Sequence, residues 1–276
     1  MANDPASESF EMARLSGVDY KTHFDPKIFL DNYHTKESRF YDKISEMLHE
    51  LMAAAEIRDG SRLLDVGSGP SIYSVISAGS RCSEIVCSDY VTQNLDEILK
   101  WVNGDPDAHN WQRYFEYVCK LEGKSDDEWK LRQDHIRQAI KRVVPCDVHQ
   151  ENPLAPLVLE PFDVISSSLC LEAACSDESS YRSAVKHVTS LLKPGGILFV
   201  VGIQGETFYS VGNKRFKAFP LSNEIIESAY AEVGLTNLRW CNETCDSKKY
   251  PFEGLPYDMS GLFAVSATRT DVTASA

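Results

Sequence analysis

The chain has 276 residues, 43% apolar and 25% charged, which suits one large α/β domain or two small ones. A formal net charge of −13 argues against a nucleic-acid groove, because phosphate binding needs clustered Lys and Arg; a cationic small ligand remains compatible. No apolar run reaches the ~18 residues of a membrane helix, and "MANDPASESFEMARLSG" lacks the apolar stretch of a signal peptide, so a cytoplasmic protein without a membrane span is expected.

Residues 1–18 and 269–276 are polar and weakly patterned, and both are expected to be flexible, leaving a single domain over 19–268. In "HFDPKIFLDNYH" (23–34) Asp25 is a natural N-cap and Pro26 suits the first helical position, which predicts a short helix with Phe29 and Tyr33 on one face. Phe40, Ile44, Met47, Leu48, Leu51 and Met52 recur at helical spacing, so a helical lid is expected over 19–56. The period then changes. "RLLDVGSG" (62–69) reads as a strand and a turn, "SIYSVISAG" (71–79) as a helix ending at a Gly C-cap, "EIVCSDY" (84–90) as a strand and "QNLDEILKWVNG" (93–104) as a helix. Residues 105–143 form a mainly helical insert. "VVPCDV" (143–148) and "FDVISSS" (162–168) read as strands, followed by a helix over about 178–192 that ends at "KPGG". "GILFVVG" (196–202) is a strand, "SNEIIESAYAEVG" (222–234) a capped helix, and "LTNLRW" (235–240) and "GLFAVSAT" (261–268) are closing strands. Strands alternating with helices predict a doubly wound, mostly parallel sheet, with ligands beyond its C-terminal strand ends.

The eight cysteines form no CxxC pair and several fall inside predicted strands, so buried thiols are expected rather than disulfides or a zinc site. In "LLDVGSGPSIY" (63–73), Gly67 and Gly69 permit a tight turn and close backbone approach to a ligand. The dinucleotide fingerprint is incomplete: Pro70 follows Gly69, and Ile72 takes the third glycine position. That disfavours NAD and a pyrophosphate. Asp89 ends the second strand, where a carboxylate can accept both ribose hydroxyls. Asp147 ends the next and can accept an adenine amino group, although either acid could simply cap a turn. Carboxylates at successive strand ends, with no phosphate-binding Lys, suit adenosine joined to a cationic group, which is the chemistry of S-adenosylmethionine.

The segments "HFDPKIFLDNYH", "LLDVGSGPSIY", "SDYVTQNL" (88–95), "RVVPCDVHQ" (142–150), "SLCLEAACSD" (168–177), "SLLKPGGILFVVG" (190–202) and "FYSVGNKRF" (208–216) together resemble the small-molecule amine methyltransferases that include the phenylethanolamine, nicotinamide, indolethylamine and thioether enzymes. The resemblance covers about residues 20–268. It implies a class I S-adenosylmethionine-dependent methyltransferase, a Rossmann-like sheet with an antiparallel edge strand and an N-terminal helical lid. It also implies the cofactor contacts. Gly67, Ser68 and Gly69 would face the methionine part, with Tyr73 beside them. Asp89 and Asn94 would hold the ribose and neighbouring atoms, and Tyr90 would lie against the adenine. Asp147 and Val148 would read the adenine edge. Tyr33 would contact the methionine carboxylate or close over the site, and Ser168 and Leu169 would lie near the methyl donor. The chain departs from the family at Phe29, where a tyrosine is common and one hydroxyl contact to the cofactor is lost. It departs again at His34, which replaces a tyrosine walling the acceptor pocket and would stack on an aromatic substrate or titrate near pH 6.5.

"SSSLCLEAACSD" (166–177) carries one carboxylate, Glu172, in an apolar setting, and burying a charge without a partner is costly. By resemblance, nicotinamide enzymes carry Asp at the position of Gly202 and Ser at that of Glu206. Phenylethanolamine enzymes have Gly at the first and acids matching Glu172, Glu206 and Asp258. This chain has all three acids. The expected reaction is methyl transfer from S-adenosylmethionine to the nitrogen of a small amine, an aromatic biogenic amine such as a phenylethanolamine, giving S-adenosylhomocysteine. Glu172 would grip the amine and pass its proton outward, Glu206 would be a second contact or proton acceptor, and Asp258 would hold a more distant polar group. Tyr209 matches a family tyrosine near the acceptor, and Leu169 stands where a stacking Phe is found, implying a softer wall. No metal is needed, and a monomer without nucleic-acid or membrane partners is expected. The alternatives are a nicotinamide-type enzyme or a non-catalytic protein that binds S-adenosylmethionine.

Overall fold

The computed structural model describes residues 14–34, 39–125, 127–245 and 258–270. Strand β1 (Arg14–Leu15) and helices α1 (Asp19–His23), α2 (Pro26–Tyr33) and α3 (Arg39–Ala53) precede the alternating part of the chain. That part runs β2 (Ser61–Val66), α4 (Tyr73–Ala78), β3 (Cys82–Asp89), α5 (Thr92–Asn103), α6 (Gln112–Leu121), α7 (Glu128–Ala139), β4 (Ile140–Pro145) and β5 (Phe162–Ser168). It continues with α8 (Leu171–Ala174), α9 (Glu178–Ser190), β6 (Leu192–Gln204), β7 (Phe208–Val211), β8 (Lys214–Lys217), α10 (Asn223–Glu232), β9 (Leu235–Thr244) and β10 (Gly261–Arg269). Among the described residues, no helix is long and apolar enough to cross a membrane.

The main sheet has seven strands in the order β4-β3-β2-β5-β6-β10-β9. The antiparallel strand is β10, one place in from the edge between β6 and β9 rather than at the edge itself. Side chains alternate across the pleat and build two cores. Leu63, Val164, Phe199 and Val201 join the core formed with α3 to α7, and their neighbours Leu64, Ile165, Leu198 and Val200 join the core under α9 and α10. Both faces are covered, so the strands read as apolar runs rather than alternating ones. The strand order reverses at β2, which places the ligand crevice at the carboxyl ends of β2 and β5.

Asp25 caps α2 as expected, accepting Lys27 N–H at 2.9 Å and Ile28 N–H at 3.1 Å. All six apolar positions predicted for the next helix are buried in α3. Three expectations are corrected. Arg14 and Leu15, assigned to a flexible terminus, pair in parallel with Arg215 and Phe216 of β8; residues 1–13 and 271–276 lie outside the described residues. β4 spans Ile140–Pro145, so Asp147 and Val148 stand in the loop beyond it. β6 already begins at Leu192 and runs through the glycines. Helix α4 ends at Gly79 as its C-cap, as expected, with a right-handed φ of −59°; an added Cβ would meet Ile136 Cδ1 at 2.4 Å, so α7 packs closely on the glycine. The β7–β8 hairpin was missed, although Gly212-Asn213 between two four-residue strands is a hairpin signal.

Candidate functional site

A cavity of about 360 Å³ opens beyond the carboxyl ends of the parallel strands. Its lining includes Phe29, Tyr33, Gly67, Ser68, Gly69, Tyr73, Asp89, Tyr90, Asn94, Asp147, Val148, Ser168, Leu169, Glu172, Glu206 and Tyr209. Of the residues expected from the sequence to contact cofactor or acceptor, His34 and Asp258 are outside it.

One half is built on the β2–α4 turn. Gly67 and Gly69 have φ of 69° and 61°, a left-handed backbone that favours glycine. A Cβ at Gly67 would stand 2.0 Å from Cys170 Sγ, whereas one at Gly69 would meet nothing within 4 Å. Asp89 ties this turn to the next helix. Its Oδ2 accepts Gly69 N–H at 2.8 Å; its Oδ1 accepts Val91 N–H at 2.8 Å and Asn94 Nδ2 at 2.9 Å. Burial raises the Asp89 pKa, and these donors oppose that rise. A carboxylate has about four acceptor positions, so Asp89 is already largely committed to the protein. Asn94 Oδ1 and Ser168 Oγ are buried without a hydrogen-bond partner among the described residues, and both residues line the cavity. Unsatisfied polar atoms of this kind are what a polar ligand would complete. Asp147 accepts His149 N–H at 3.0 Å, with Val148 buried beside it. The Lys21 ammonium lies 4.1 Å from the Tyr90 ring centroid. Leu169, at the end of β5, holds a strained φ of 55°.

The other half is acidic. Glu172 is 1% exposed on the short helix α8, and its Oε1 accepts Ile203 N–H at 3.0 Å. Its Oε2 is buried with no hydrogen-bond partner among the described residues. Burial pushes the Glu172 pKa up to about 7, opposed by backbone donors. Glu206, on the loop after β6, is also buried, and its pKa is raised well above the usual carboxylate value by burial and then by Glu172 and Asp258. Neither carboxylate is ion-paired with a Lys, Arg or His among the described residues. The Tyr209 hydroxyl donates to Tyr20 Oη at 3.0 Å, and the Tyr20 hydroxyl donates to the Ala173 carbonyl at 3.3 Å, linking β7, α1 and α8. Tyr33 donates to the Ser210 carbonyl at 2.6 Å, which fastens α2 to β7.

His34 does not wall the cavity. Its ring packs behind two residues that do, 4.1 Å from Tyr41 and 5.5 Å from Tyr73, and its Nδ1 shares a 2.7 Å hydrogen bond with the Tyr114 hydroxyl. Burial holds its pKa well below 6.5, so titration near that value is also corrected. Asp258 is exposed, and its carboxylate accepts Thr207 N–H at 2.8 Å, Phe208 N–H at 3.3 Å and the Thr207 hydroxyl. Tyr20, Tyr41, Ile203 and Met259 line the cavity without having been singled out. For Tyr20 the signal was its helical spacing to Phe24 within a stretch whose start reads as an unpatterned terminus.

A profile of the NNMT/PNMT/TEMT family matches residues 12–270. Nicotinamide N-methyltransferase of Homo sapiens is 35% identical over 256 residues, covering 91% of this chain and 94% of that protein. Phenylethanolamine N-methyltransferase of Macaca mulatta is 38% identical over 192 residues, covering 68% of this chain and 66% of that protein. Among solved structures, magnesium protoporphyrin IX methyltransferase from Synechocystis PCC 6803 with bound S-adenosylmethionine is similar in fold, with a TM-score of 0.57 at 12% identity, covering 91% of this chain and 94% of that one.

Proposed function

The chain belongs to the NNMT/PNMT/TEMT family and is an S-adenosylmethionine-dependent N-methyltransferase of small amines, and we propose that its acceptor is an aromatic alkylamine taken up as the ammonium ion. The observation that carries this reading is the pair Glu172 and Glu206, both buried, both lining one cavity, neither ion-paired with a protein cation among the described residues. Two buried carboxyls without a cation are costly, and an ammonium ion supplies what they lack. A neutral pyridine such as nicotinamide would leave both without a counter-charge.

The unpartnered Asn94 Oδ1 and Ser168 Oγ, together with the open side of Gly69, fit the cofactor at the β2–α4 turn. When bound there, S-adenosylmethionine supplies a methyl group on a sulfonium ion. The residues of this chain do the rest. An alkylammonium has no lone pair, so the nitrogen must lose a proton before it can attack. Glu172 Oε2 has no partner, while Oε1 is fixed by Ile203, so Oε2 is the free face for that proton. A carboxyl near 7 is matched to proton transfer at neutral pH. Burial and Glu172 favour the neutral form of Glu206 in the empty site, so Glu206 gains its charge as the ammonium binds and then supplies the second carboxylate contact. Holding nitrogen and methyl group in line is worth up to about 7–11 kcal/mol. Tyr20, Tyr209, Phe24 and Phe29 line the cavity, with Phe216 packed against Tyr20 and Phe24, an aromatic wall that leaves little polar competition for the amine.

The test is transfer of labelled methyl from S-adenosylmethionine to phenylethanolamine, octopamine, tyramine, tryptamine, serotonin and nicotinamide. Turnover of a charged amine that collapses in Glu172→Gln supports the reading. Turnover of nicotinamide alone, or none with the cofactor still bound, refutes the acceptor assignment.

A further inference from the structure

Glu206 is held from both sides by the residues that lead into β10. On its N-terminal side, Ser260 N–H and Oγ–H both donate to the Gln204 carbonyl, at 2.9 and 3.0 Å. Gly205 lies so close that a Cβ there would stand 2.5 Å from Ser260 Oγ. On the C-terminal side, Asp258 takes the next two amides, Thr207 N–H at 2.8 Å and Phe208 N–H at 3.3 Å, on one oxygen. Its other oxygen accepts the Thr207 hydroxyl. The Thr207 oxygen in turn accepts Arg14 Nη1 at 3.1 Å, which ties β1 into the same cluster. Glu206 itself is buried and lines the cavity.

Asp258 is exposed and outside the cavity lining, and both its oxygens are engaged. We propose that Asp258 is a positioning residue: it fixes Glu206 in the acceptor cavity by holding the two amides that follow it, and it does not touch the amine. This rests on the reading of Glu206 as an acceptor contact. The hydrogen bonds are charge-assisted and converge on consecutive amides, an arrangement that fixes the backbone where Glu206 leaves it. Arg14 extends the same restraint to the strand that precedes the lid.

The role separates cleanly from a direct charge contact. Asparagine keeps a carbonyl oxygen for the two amides and an amide group that can donate to the Thr207 oxygen. A positioning role therefore predicts that Asp258→Asn stays within about threefold of wild type in kcat/KM for the amine, while Asp258→Ala loses at least about tenfold. Cofactor affinity, measured with S-adenosylhomocysteine, should stay within about twofold in both, which also shows that they fold. In a Glu206→Gln background, Asp258→Ala should cost less than about threefold more, because the group it positions has already been neutralised. Thr207→Val, which removes one donor, should fall between wild type and Asp258→Ala. Equal damage from Asn and Ala, or full additivity with Glu206→Gln, overturns the proposal. If no amine is methylated at all, the acceptor reading fails, and amide hydrogen exchange decides this one separately. Thr207 and Phe208 protons exchanging at least about tenfold faster in Asp258→Ala support it; unchanged exchange refutes it.

Discussion

Gly202 and Glu172 share one small space: a Cβ at Gly202 would stand 3.1 Å from Glu172 Oε1 and 2.6 Å from the nearest Phe263 ring carbon. The missing side chain is what lets the carboxylate reach the Ile203 amide on β6. Phe263 is fully buried and cannot retreat easily. Gly202→Ala is expected to push Glu172 off this bond, and Gly202→Asp to add a like charge beside it. Methylation of a charged amine should fall at least about tenfold for Asp, with S-adenosylhomocysteine affinity within a few-fold. Steady-state kinetics and calorimetry on the same preparations decide it; an Asp variant as active as wild type would show that Glu172 does not act from this position.

The raised Glu172 pKa makes a second prediction. Its ordinary value of 4.5 is raised to about 7 by burial. Relative to the ionised state, its contribution to stability is fully present below pH 4.5 and is lost as pH rises through about 7. Glu172→Gln removes this loss. Without ligand, the variant should gain on the order of 1–3 kcal/mol over wild type at pH 8 and only about a quarter of that at pH 5. The same change should lower amine turnover at least about tenfold, the pattern of a residue kept for function at a cost in stability. Denaturant unfolding at the two pH values measures it, and a pH-independent difference would refute it.

The parallel sheet was legible because its apolar runs and glycine turns are local signals. The Asp25 cap, the α3 stripe and the Gly67–Gly69 turn all stand where their sequence places them. What was not legible depends on long-range packing. Tyr20 meets Tyr209 across 189 positions, so no local pattern announces the pair. Asp258 reads as an acceptor contact from resemblance, but the backbone amides of Thr207 and Phe208 reach it first. His34 follows directly after Tyr33, yet one residue along the helix end turns its ring away from the cavity into Tyr41, Trp111 and Tyr114.

Asp89 provides the third prediction. Asp89→Ala leaves Gly69 N–H, Val91 N–H and Asn94 Nδ2 without their acceptor in a buried position. Each stranded donor costs about 1–3 kcal/mol where water cannot replace the carboxylate. The glycine turn should loosen, S-adenosylhomocysteine affinity should fall at least about tenfold, and thermal stability should drop. Asp89→Asn keeps an acceptor for part of the set and should lose less on both counts. Calorimetric titration beside thermal unfolding tests this, and an Ala variant with wild-type affinity would remove Asp89 from the cofactor site.

His34 carries the last prediction. Its ring is 5% exposed, its Nδ1 is bonded to Tyr114, and its Nε2 has no partner. Burial lowers its pKa well below 6.5, and His109 and Arg113 lower it further. As pH falls, the unfolded chain therefore takes the proton before the folded one does. The stability His34 contributes is fully present above pH 6.5 and is lost as pH falls through its folded pKa. His34→Phe keeps an aromatic ring in the cluster and removes the titration. Wild type should thus lose stability relative to the variant between pH 7.5 and pH 5, while groups common to both cancel in the difference. Because the ring lies behind Tyr41 and Tyr73 and not in the cavity, the pH–rate profile for amine methylation should keep the same inflections in both proteins. Paired melts at the two pH values and one pH–rate series are sufficient. A stability difference that does not change with pH would mean the imidazole is not held neutral, and a displaced inflection would return His34 to the acceptor wall.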